Sequence, residues 1–323
     1  MKPQREYAID FLKFFAAILI TNSHLDVYEP SYRLGTGGAI GDVIFLFCSG
    51  YTLFIGRMDR FDNWYKRRLL RIFPPVFVWA ILSAFCFGTK QTMDYVIING
   101  GGWFVQCILI YYVFAYFIRK YATKNLGYIF LVVALITCVW YFLLIGHETN
   151  FNLYGWNYCK WLAFFLFFLQ GAALGLHREN LKRPSFGKSL CCLLFCLVFW
   201  FSIQYYQTKY LWIYKIQIVS LLPLLGVSYF FYQWCRSELM EKVFNTKIIY
   251  QIIRCIGGLC FEIYLVQYTL FHNVVLHFGM SLNIVVILTL ILLWAYILHV
   301  CTNFFIQTFR NENYDWRAMI KIY

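Results

Sequence analysis

The side chains best suited to chemistry lie in an apolar segment near the start of the chain. In DFLKFFAAILITNSHLD, Lys13 follows Asp10 by three residues and precedes His24 by eleven. On a continuous helix, eleven positions advance about 16 Å and place Lys13 and His24 on one stripe. Asp10 is at ion-pair spacing from Lys13. This arrangement suits a long ligand that is anionic at one end and reactive at the other.

Two structural interpretations of the same residues stay open. Lys13 lies close to a helix end, where a lysine can extend its ammonium group to the lipid headgroups. His24 lies close to the opposite boundary, where a histidine can serve as a hydrogen-bonded structural residue. Ionisable residues inside a membrane are nevertheless functional candidates by default.

Arginines cluster in a second segment, RMDRFDNWYKRRLLRIFPP, from Arg57 to Pro75. We expect the two terminal prolines to stop any helix there. A helix over 57–71 would project five arginines within an arc of about 100°: Arg57, Arg60, Arg67, Arg68 and Arg71. Such a face suits phosphate groups, which arginine grips with two hydrogen bonds. The alternative is that these charges set the topology and contact anionic lipid headgroups.

The elements that position these residues are predicted to be membrane helices. The chain has 323 residues, of which 61% are hydrophobic and only 13% are charged, whereas about 25% are charged in a typical soluble domain. Apolar runs long enough to cross a bilayer recur throughout. We predict an all-α polytopic membrane protein with about ten transmembrane helices in one bundle: 8–27, 38–56, 72–89, 103–120, 127–146, 156–176, 188–206, 211–235, 250–275 and 281–309.

Charge in the connections predicts the orientation of this bundle. With the N-terminus inside, most of the 28 Lys and Arg residues lie in cytoplasmic connections, as the positive-inside rule requires. Both termini are therefore predicted to be cytoplasmic, and the formal net charge of +13 reflects topology rather than nucleic-acid binding. No connection is long enough to fold alone, so residues 1–323 are predicted to form a single transmembrane domain.

Two further features of the sequence are expected to be ordinary. The first apolar run lacks a small-residue cleavage site, so we expect no cleavable signal peptide. Most of the 12 cysteines lie inside predicted spans without a paired metal-ligand spacing. Buried cysteine behaves as a small hydrophobic residue, and no metal is implied.

Several short motifs follow one another along the chain. After the Asp10, Lys13 and His24 element come FLFCSGYTL, RLLRIFP, GGWFVQCILIYY, FFLFFLQGAALG and finally EIYLVQYTLFH. Their order resembles the acyltransferase 3 family, integral-membrane acyltransferases that modify bacterial surface carbohydrates. Two positions depart from the family pattern, with Lys13 where Arg is more usual and Gln267 where His is often present. The resemblance covers nearly the whole chain and includes the number of spans.

The resemblance implies an acyl-CoA donor, most often acetyl-CoA, no tightly bound cofactor, and a glycan hydroxyl as acceptor. His24 would act as general base on that hydroxyl, or less directly carry the acyl group itself, with Lys13 and Asp10 completing the catalytic set. The acyl-CoA site would take in Arg67, Arg68, Arg71, Ser49 and Trp103. Further candidates are Glu262, Tyr264 and His272. Glu262 would pair with Arg254 or with a basic group on another helix.

The segment GHETNFNLYGWNYCKW, from Gly146 to Trp161, is the candidate acceptor site. Aromatic faces combined with Asn, Glu and His suit a sugar ring through stacking and hydrogen bonding. The residues concerned are His147, Glu148, Trp156 and Asn157. A belt of Trp and Tyr at the membrane interface would give the same pattern.

The favoured hypothesis is an O-acetyltransferase of the bacterial inner or plasma membrane that contacts acyl-CoA, a glycan or lipid-linked sugar, and membrane lipids. Whether it forms a homodimer stays open. One alternative is a polysaccharide or small-molecule carrier of the same fold, which predicts inverted repeats and ionisable groups near the midplane. Another is a scaffold in a glycan-assembly complex, which predicts that His24 can be replaced without loss.

Overall fold

The computed structural model describes residues 6–147, 152–155, 157–310 and 313–322. Within these ranges every regular element is helical. Three single 3₁₀ turns accompany the α-helices. The α-helices are α1 Tyr7–Ser23, α2 Leu25–Tyr28, α3 Gly38–Ile55, α4 Phe61–Phe87, α5 Met93–Asn99, α6 Gly102–Tyr121, α7 Leu126–His147, α8 Tyr158–Leu176, α9 Phe186–Gln207, α10 Leu211–Lys215, α11 Leu221–Cys235, α12 Glu238–Phe244, α13 Lys247–Gly258, α14 Cys260–Asn273, α15 Met280–Thr308 and α16 Trp316–Ile320.

The predicted all-α class with about ten apolar helices is confirmed, while the single bundle and the cytoplasmic termini stay predictions. In the described residues, nine helical segments are long and apolar enough to cross a membrane, and the bent pair α13–α14 can supply a tenth. This pair occupies the predicted span 250–275, but it is bent by 64° at Leu259, between the two helices. The span predicted at 211–235 also begins later, at Gln217, after the separate short helix α10.

The prediction that the two prolines stop a helix is wrong. Helix α4 continues from Phe61 to Phe87 with Pro74 and Pro75 inside it, and both are buried. Each proline removes one intrahelical hydrogen bond, yet membrane helices tolerate this loss where the surroundings compensate. The buried apolar residues that follow, among them Val76 and Trp79, favour continuing the helix. The basic segment and the third span therefore form one element.

The predicted arc of five arginines is also only partly present. Arg60 has an extended backbone directly before α4, with φ −57° and ψ 146°, and Arg57 precedes it. These two residues therefore lie outside the helix. Arg67, Arg68 and Arg71 lie on α4 and share an arc of about 100°.

The chain divides into two compact units. Unit 1 consists of Met1–Ala16, Ala39–Arg57 and Phe114–Tyr250, and unit 2 of Ala17–Gly38, Met58–Val113 and Gln251–Tyr323. In unit 1, α9 packs on α11 and α7 packs on α8. In unit 2, α15 packs on α14 and on α4, where Trp79 and Trp294 meet with ring centroids 6.0 Å apart. The single domain over 1–323 stays a prediction.

Within unit 1, α3 and α8 approach so closely that only glycine fits between them. A Cβ added to Gly50 would lie 1.9 Å from the Phe168 carbonyl oxygen, and one added to Gly171 would lie 2.0 Å from the Phe47 carbonyl oxygen. Both distances are far below van der Waals contact. Small residues at such contacts are the usual means by which membrane helices pack closely.

Candidate functional site

His24 lies at a local turn inside the first candidate membrane span, Tyr7–Tyr28. Helix α1 is continuous from Tyr7 to Ser23, and the His24 backbone N–H donates to the Thr21 carbonyl at 3.2 Å. His24 is the N-cap residue of the one-turn helix α2, and it is half-buried. The predicted helix therefore ends one residue before the candidate base, which stands at a tight turn.

One face of α14 contacts the end of α1. The Thr21 hydroxyl donates to Oε1 of Gln267 at 2.9 Å, and Gln267 is only 2% exposed. The rings of His24 and Phe271 lie 6.4 Å apart. Gln267, where the family often has His, is thus a buried hydrogen-bond partner of the helical turn that leads into His24.

The same face of α14 also contacts the segment that opens α6. The Tyr264 hydroxyl donates to the Gly101 carbonyl at 3.1 Å, and the Tyr264 and Phe104 rings lie 5.6 Å apart. Gly102 has φ +63°, a conformation that favours glycine. Trp103 follows directly and is half-buried. The glycine pair of GGWF therefore forms the turn that presents Trp103, and Tyr264 fixes it.

Positions 264, 267 and 271 are spaced by three and four residues, so they share one face of α14. Through this face, the turn at His24 and the segment next to Trp103 both contact the helix that carries Tyr264. We call this surface of Tyr264, Gln267 and Phe271 the α14 face. It bonds to the Thr21 side chain and to the Gly101 backbone, two contacts that the sequence alone did not indicate.

The arginines of α4 lie in the same unit. Arg68 stacks over the ring of Trp64, with the guanidinium carbon 5.1 Å from the ring centroid. Trp64 is fully buried and packs edge-on against Tyr112. Arg67 forms an ion pair with Asp59, whereas Arg71 is exposed. This cation–π contact places the Arg68 guanidinium over an aromatic face, and arginine is the residue type suited to gripping phosphate.

The candidates in unit 1 are less distinctive. Asp10 is buried and Lys13 is half-buried. Ser49 is half-buried and directly precedes Gly50, the residue at the tightest α3–α8 contact. The close helix approach accounts for the glycine of the Ser-Gly segment, and a role for Ser49 stays a prediction.

The predicted acceptor residues are described only in part. Glu148 and Trp156 lie outside the described residues, as does the side chain of His147, whose backbone ends α7. Asn157 is the N-cap of α8, where its Oδ1 accepts from the Lys160 N–H at 2.8 Å. Its Nδ2 also donates to the Asn152 carbonyl at 2.7 Å, so the described contacts of Asn157 are a helix cap and a bond within the preceding loop.

Two late candidates have defined partners. Oε1 of Glu262 lies 3.2 Å from Nδ1 of His299 on α15, so its partner is a group on another helix, one of the two predicted alternatives. Nε2 of that histidine lies 3.1 Å from the Lys321 carbonyl oxygen. Glu262 and His299 thus join α14, α15 and the C-terminal segment. His272 is exposed, with its Nδ1 2.8 Å from the Tyr268 carbonyl oxygen.

Two buried polar clusters of unit 1 were missed by the sequence reasoning. Asp42 on α3 and Lys160 on α8 form an ion pair at 3.7 Å. At the other end of α3, the Tyr51 and Tyr232 hydroxyls both donate to Glu6. The sequence did contain a signal for the Asp42–Lys160 pair, because both charged residues lie inside predicted spans.

The Glu6 cluster also contains Arg236, whose Nε lies 3.5 Å from Oε1 of Glu6. Burial raises the pKa of the Glu6 carboxyl, and this effect is opposed by the Tyr232 hydroxyl and by the charge of Arg236. Arg236 in turn donates to the Leu181 carbonyl. The cluster therefore joins the start of α1 to α3, α11 and the loop before α9.

The helices and the described contacts define a polytopic membrane protein in which buried Gln267 binds the turn that precedes the candidate base. A family model described as an acyltransferase domain matches residues 6–300. The chain belongs to the acyltransferase 3 family, and the fold and family together make it a membrane acyltransferase in general terms. No curated protein and no solved structure matches the chain closely enough to count as a relative.

Proposed function

We propose that the protein transfers a short acyl group, acetyl in the first instance, from acyl-CoA to a hydroxyl of a cell-surface or lipid-linked glycan. The observation that carries this proposal is the α14 face, which connects the turn at His24 with the segment that presents Trp103. The reaction would take place in the bacterial inner or plasma membrane, with both termini of the chain in the cytoplasm.

His24 is the proposed general base. Its imidazole takes the proton of the acceptor hydroxyl as the oxygen attacks the thioester carbonyl, and the proton then passes to the departing thiolate of CoA. General-base assistance of this kind contributes about 10²–10⁴-fold to a rate. The buried bond between Thr21 and Gln267 supports this role, because it fixes the turn of α1 just before His24.

The proposed donor site has its anionic end on α4. Arg68 and Arg71 would bind the phosphates of CoA, and Arg67 would add charge beside them. The stacking of Arg68 on buried Trp64 supports this assignment because an oriented guanidinium loses less freedom on binding. Trp103 would contact the acyl end, while Lys13 and Asp10 stay candidates of the catalytic set and Ser49 a candidate for acyl-CoA binding.

The acceptor site is proposed to include His147, Glu148, Trp156 and Asn157. Asn157 has a structural contact as the cap of α8, so its contribution to acceptor binding would come through the shape of the loop. Glu262, Tyr264 and His272 are proposed to act through the position of α14. Membrane lipids surround the protein, and nucleic acid has no part in the proposal.

The proposal is tested with the purified protein in lipid nanodiscs, by following radiolabelled acetyl from acetyl-CoA onto host glycans. We expect His24→Ala to lose labelling by at least about 10²-fold while still binding acetyl-CoA. His277→Ala is the matched control, since His277 is an exposed histidine in the loop after α14, and it should label normally. Equal labelling by His24→Ala, or no binding of acetyl-CoA by the wild type, would contradict the mechanism and favour the carrier.

A further inference from the structure

Tyr28 and His24, the candidate base, both contact the ring of Phe271. Tyr28 is the last residue of α2, four positions after His24. Its ring centroid lies 5.9 Å from that of Phe271, and the His24 ring lies 6.4 Å from Phe271. Because residues four apart in a helical turn share a face, His24 and Tyr28 both lie against the α14 face at Phe271.

The Tyr28 hydroxyl is buried and has no hydrogen-bond partner among the described residues. Buried hydroxyl groups almost always have a partner, because leaving one without costs free energy. Phenylalanine would fill the same space without this cost. A buried hydroxyl on a side chain that shares its Phe271 contact with His24 therefore points to a partner from outside the chain.

Tyr32, the next tyrosine along the chain, behaves differently. Its hydroxyl donates to Oδ1 of Asn22 at 2.8 Å. The amide group of Asn22 donates to the carbonyls of Leu34 and Thr36, each at 2.9 Å. Tyr32 is thus part of a local network that fixes the loop before α3, and its hydroxyl is accounted for by the fold.

We infer that the Tyr28 hydroxyl donates a hydrogen bond to the thioester carbonyl oxygen of the acyl donor. The inference rests on the proposed function and adds an electrophilic partner to His24. Placed beside the base, a neutral hydroxyl stabilises the negative charge that develops on that oxygen during attack. Tyr28 is then a catalytic residue, because it contacts the reacting group.

The acceptor oxygen forms a bond to the carbonyl carbon while His24 removes its proton, and the carbonyl electron pair moves to the oxygen that accepts from Tyr28. When this tetrahedral intermediate collapses, the carbon–sulfur bond breaks and the thiolate leaves. His24 returns the proton to the thiolate, which gives free CoA and the ester, and Tyr28 keeps its own proton throughout.

The test compares Tyr28→Phe with Tyr32→Phe and the wild type in nanodiscs, measuring acetyl transfer, the KM for acetyl-CoA and thermal unfolding. We expect Tyr28→Phe to lose about 10²-fold in kcat, as for removal of one oxyanion donor. Its KM for acetyl-CoA should change less than about threefold, because a group that acts mainly in the transition state contributes little to ground-state binding. Its unfolding temperature should not fall, whereas that of Tyr32→Phe should, because only Tyr32 has a partner within the fold.

Each other outcome has a distinct meaning. If Tyr28→Phe transfers acetyl within about twofold of the wild type while His24→Ala is inactive, the role of Tyr28 is wrong and the proposed function stands. If Tyr28→Phe raises only the KM for the acceptor, Tyr28 binds the acceptor hydroxyl and the assignment to the thioester oxygen is overturned. If the wild type transfers no acyl group, the proposed function and this inference fall together.

Discussion

The buried polar groups of unit 1 and those of the α14 face in unit 2 join different kinds of structural element. In unit 1, Asp42 pairs with Lys160 between two long helices, so charge bonds to charge within the scaffold. In unit 2, Gln267 and Tyr264 bond to a helical turn and to a loop, beside His24 and Trp103. Both regions place polar residues in apolar helices, yet the first joins two long helices and the second contacts the segments that carry candidate site residues.

The largest expected effect is on the scaffold of unit 1. Gly50→Ala would place a Cβ 1.9 Å from the Phe168 carbonyl oxygen, and a backbone atom cannot move aside as a side chain can. We expect the free energy of unfolding to fall by more than about 3 kcal/mol, beyond the usual cost of overpacking. Thermal unfolding in detergent measures it. Gly187→Ala, where an added Cβ meets open space, should leave the midpoint unchanged.

Breaking the buried ion pair should have the next largest effect. Asp42→Asn leaves the Lys160 ammonium without its carboxylate, and removing one partner of a buried pair costs about 3–5 kcal/mol. The double change Asp42→Leu with Lys160→Met should recover most of that loss, since an apolar pair of similar volume is often neutral. A double variant no more stable than Asp42→Asn would mean that the pair is required for the fold itself.

A change in the α14 face should lower the rate of acyl transfer more than it lowers stability, whereas a change in the ion pair of unit 1 should lower mainly stability. Gln267→Leu removes the acceptor of the Thr21 hydroxyl, at a cost in stability of about 1–3 kcal/mol. Transfer per folded molecule should fall by about tenfold or more, because small misplacements of reacting groups cost rate steeply. The ratio of activity to folded protein, compared with that of Asp42→Asn, measures the difference. A similar ratio in both variants would remove the distinction between the two regions.

The smallest effect expected is a pH dependence of opposite sign at two glutamates of unit 1. Because burial raises the pKa of Glu6 above its ordinary value of 4.5, the folded chain holds this proton more tightly than the unfolded chain. The contribution to stability is then fully present below about pH 4.5 and is lost as the pH rises through the raised pKa. Unfolding midpoints from pH 4 to 7 should lose this slope in Glu6→Gln.

Glu238 is the matched case. The hydrogen bond from Lys242 lowers the pKa of the Glu238 carboxyl, so its contribution is present above its ordinary pKa and is lost as the pH falls through the lowered one. Glu238→Gln should therefore remove a pH dependence of the unfolding midpoint whose sign is opposite to that of Glu6. The same sign for both glutamates would mean that Glu6 is not buried in solution.

The sequence predicted the fold class well because length and apolarity decide which segments can cross a membrane. It failed at Pro74 and Pro75, because the rule for proline considers only the local hydrogen bond and not the buried surroundings of α4. A separate error placed Arg57 and Arg60 in the arc, because α4 begins only at Phe61. The shared arc of Arg67, Arg68 and Arg71 was predicted correctly, because it depends only on the local helix geometry.

The contacts of the candidate site could not be predicted in the same way. Thr21 and Gln267 are 246 positions apart, and a single sequence does not say which helices become neighbours. The motifs did point to His24, Trp103 and Tyr264, because chemistry constrains residue type. They gave no signal for Tyr28, whose interest lies in a buried hydroxyl that only the packing reveals.

The most direct test compares acetyl transfer per folded molecule in His24→Ala with that in the double variant Asp42→Leu with Lys160→Met. The account predicts that His24→Ala folds normally and loses at least about 10²-fold in rate. The double variant, with two buried charges removed, should keep a rate close to that of the wild type. A normal rate in His24→Ala, together with an inactive but folded double variant, would place the chemistry in unit 1 and contradict the account.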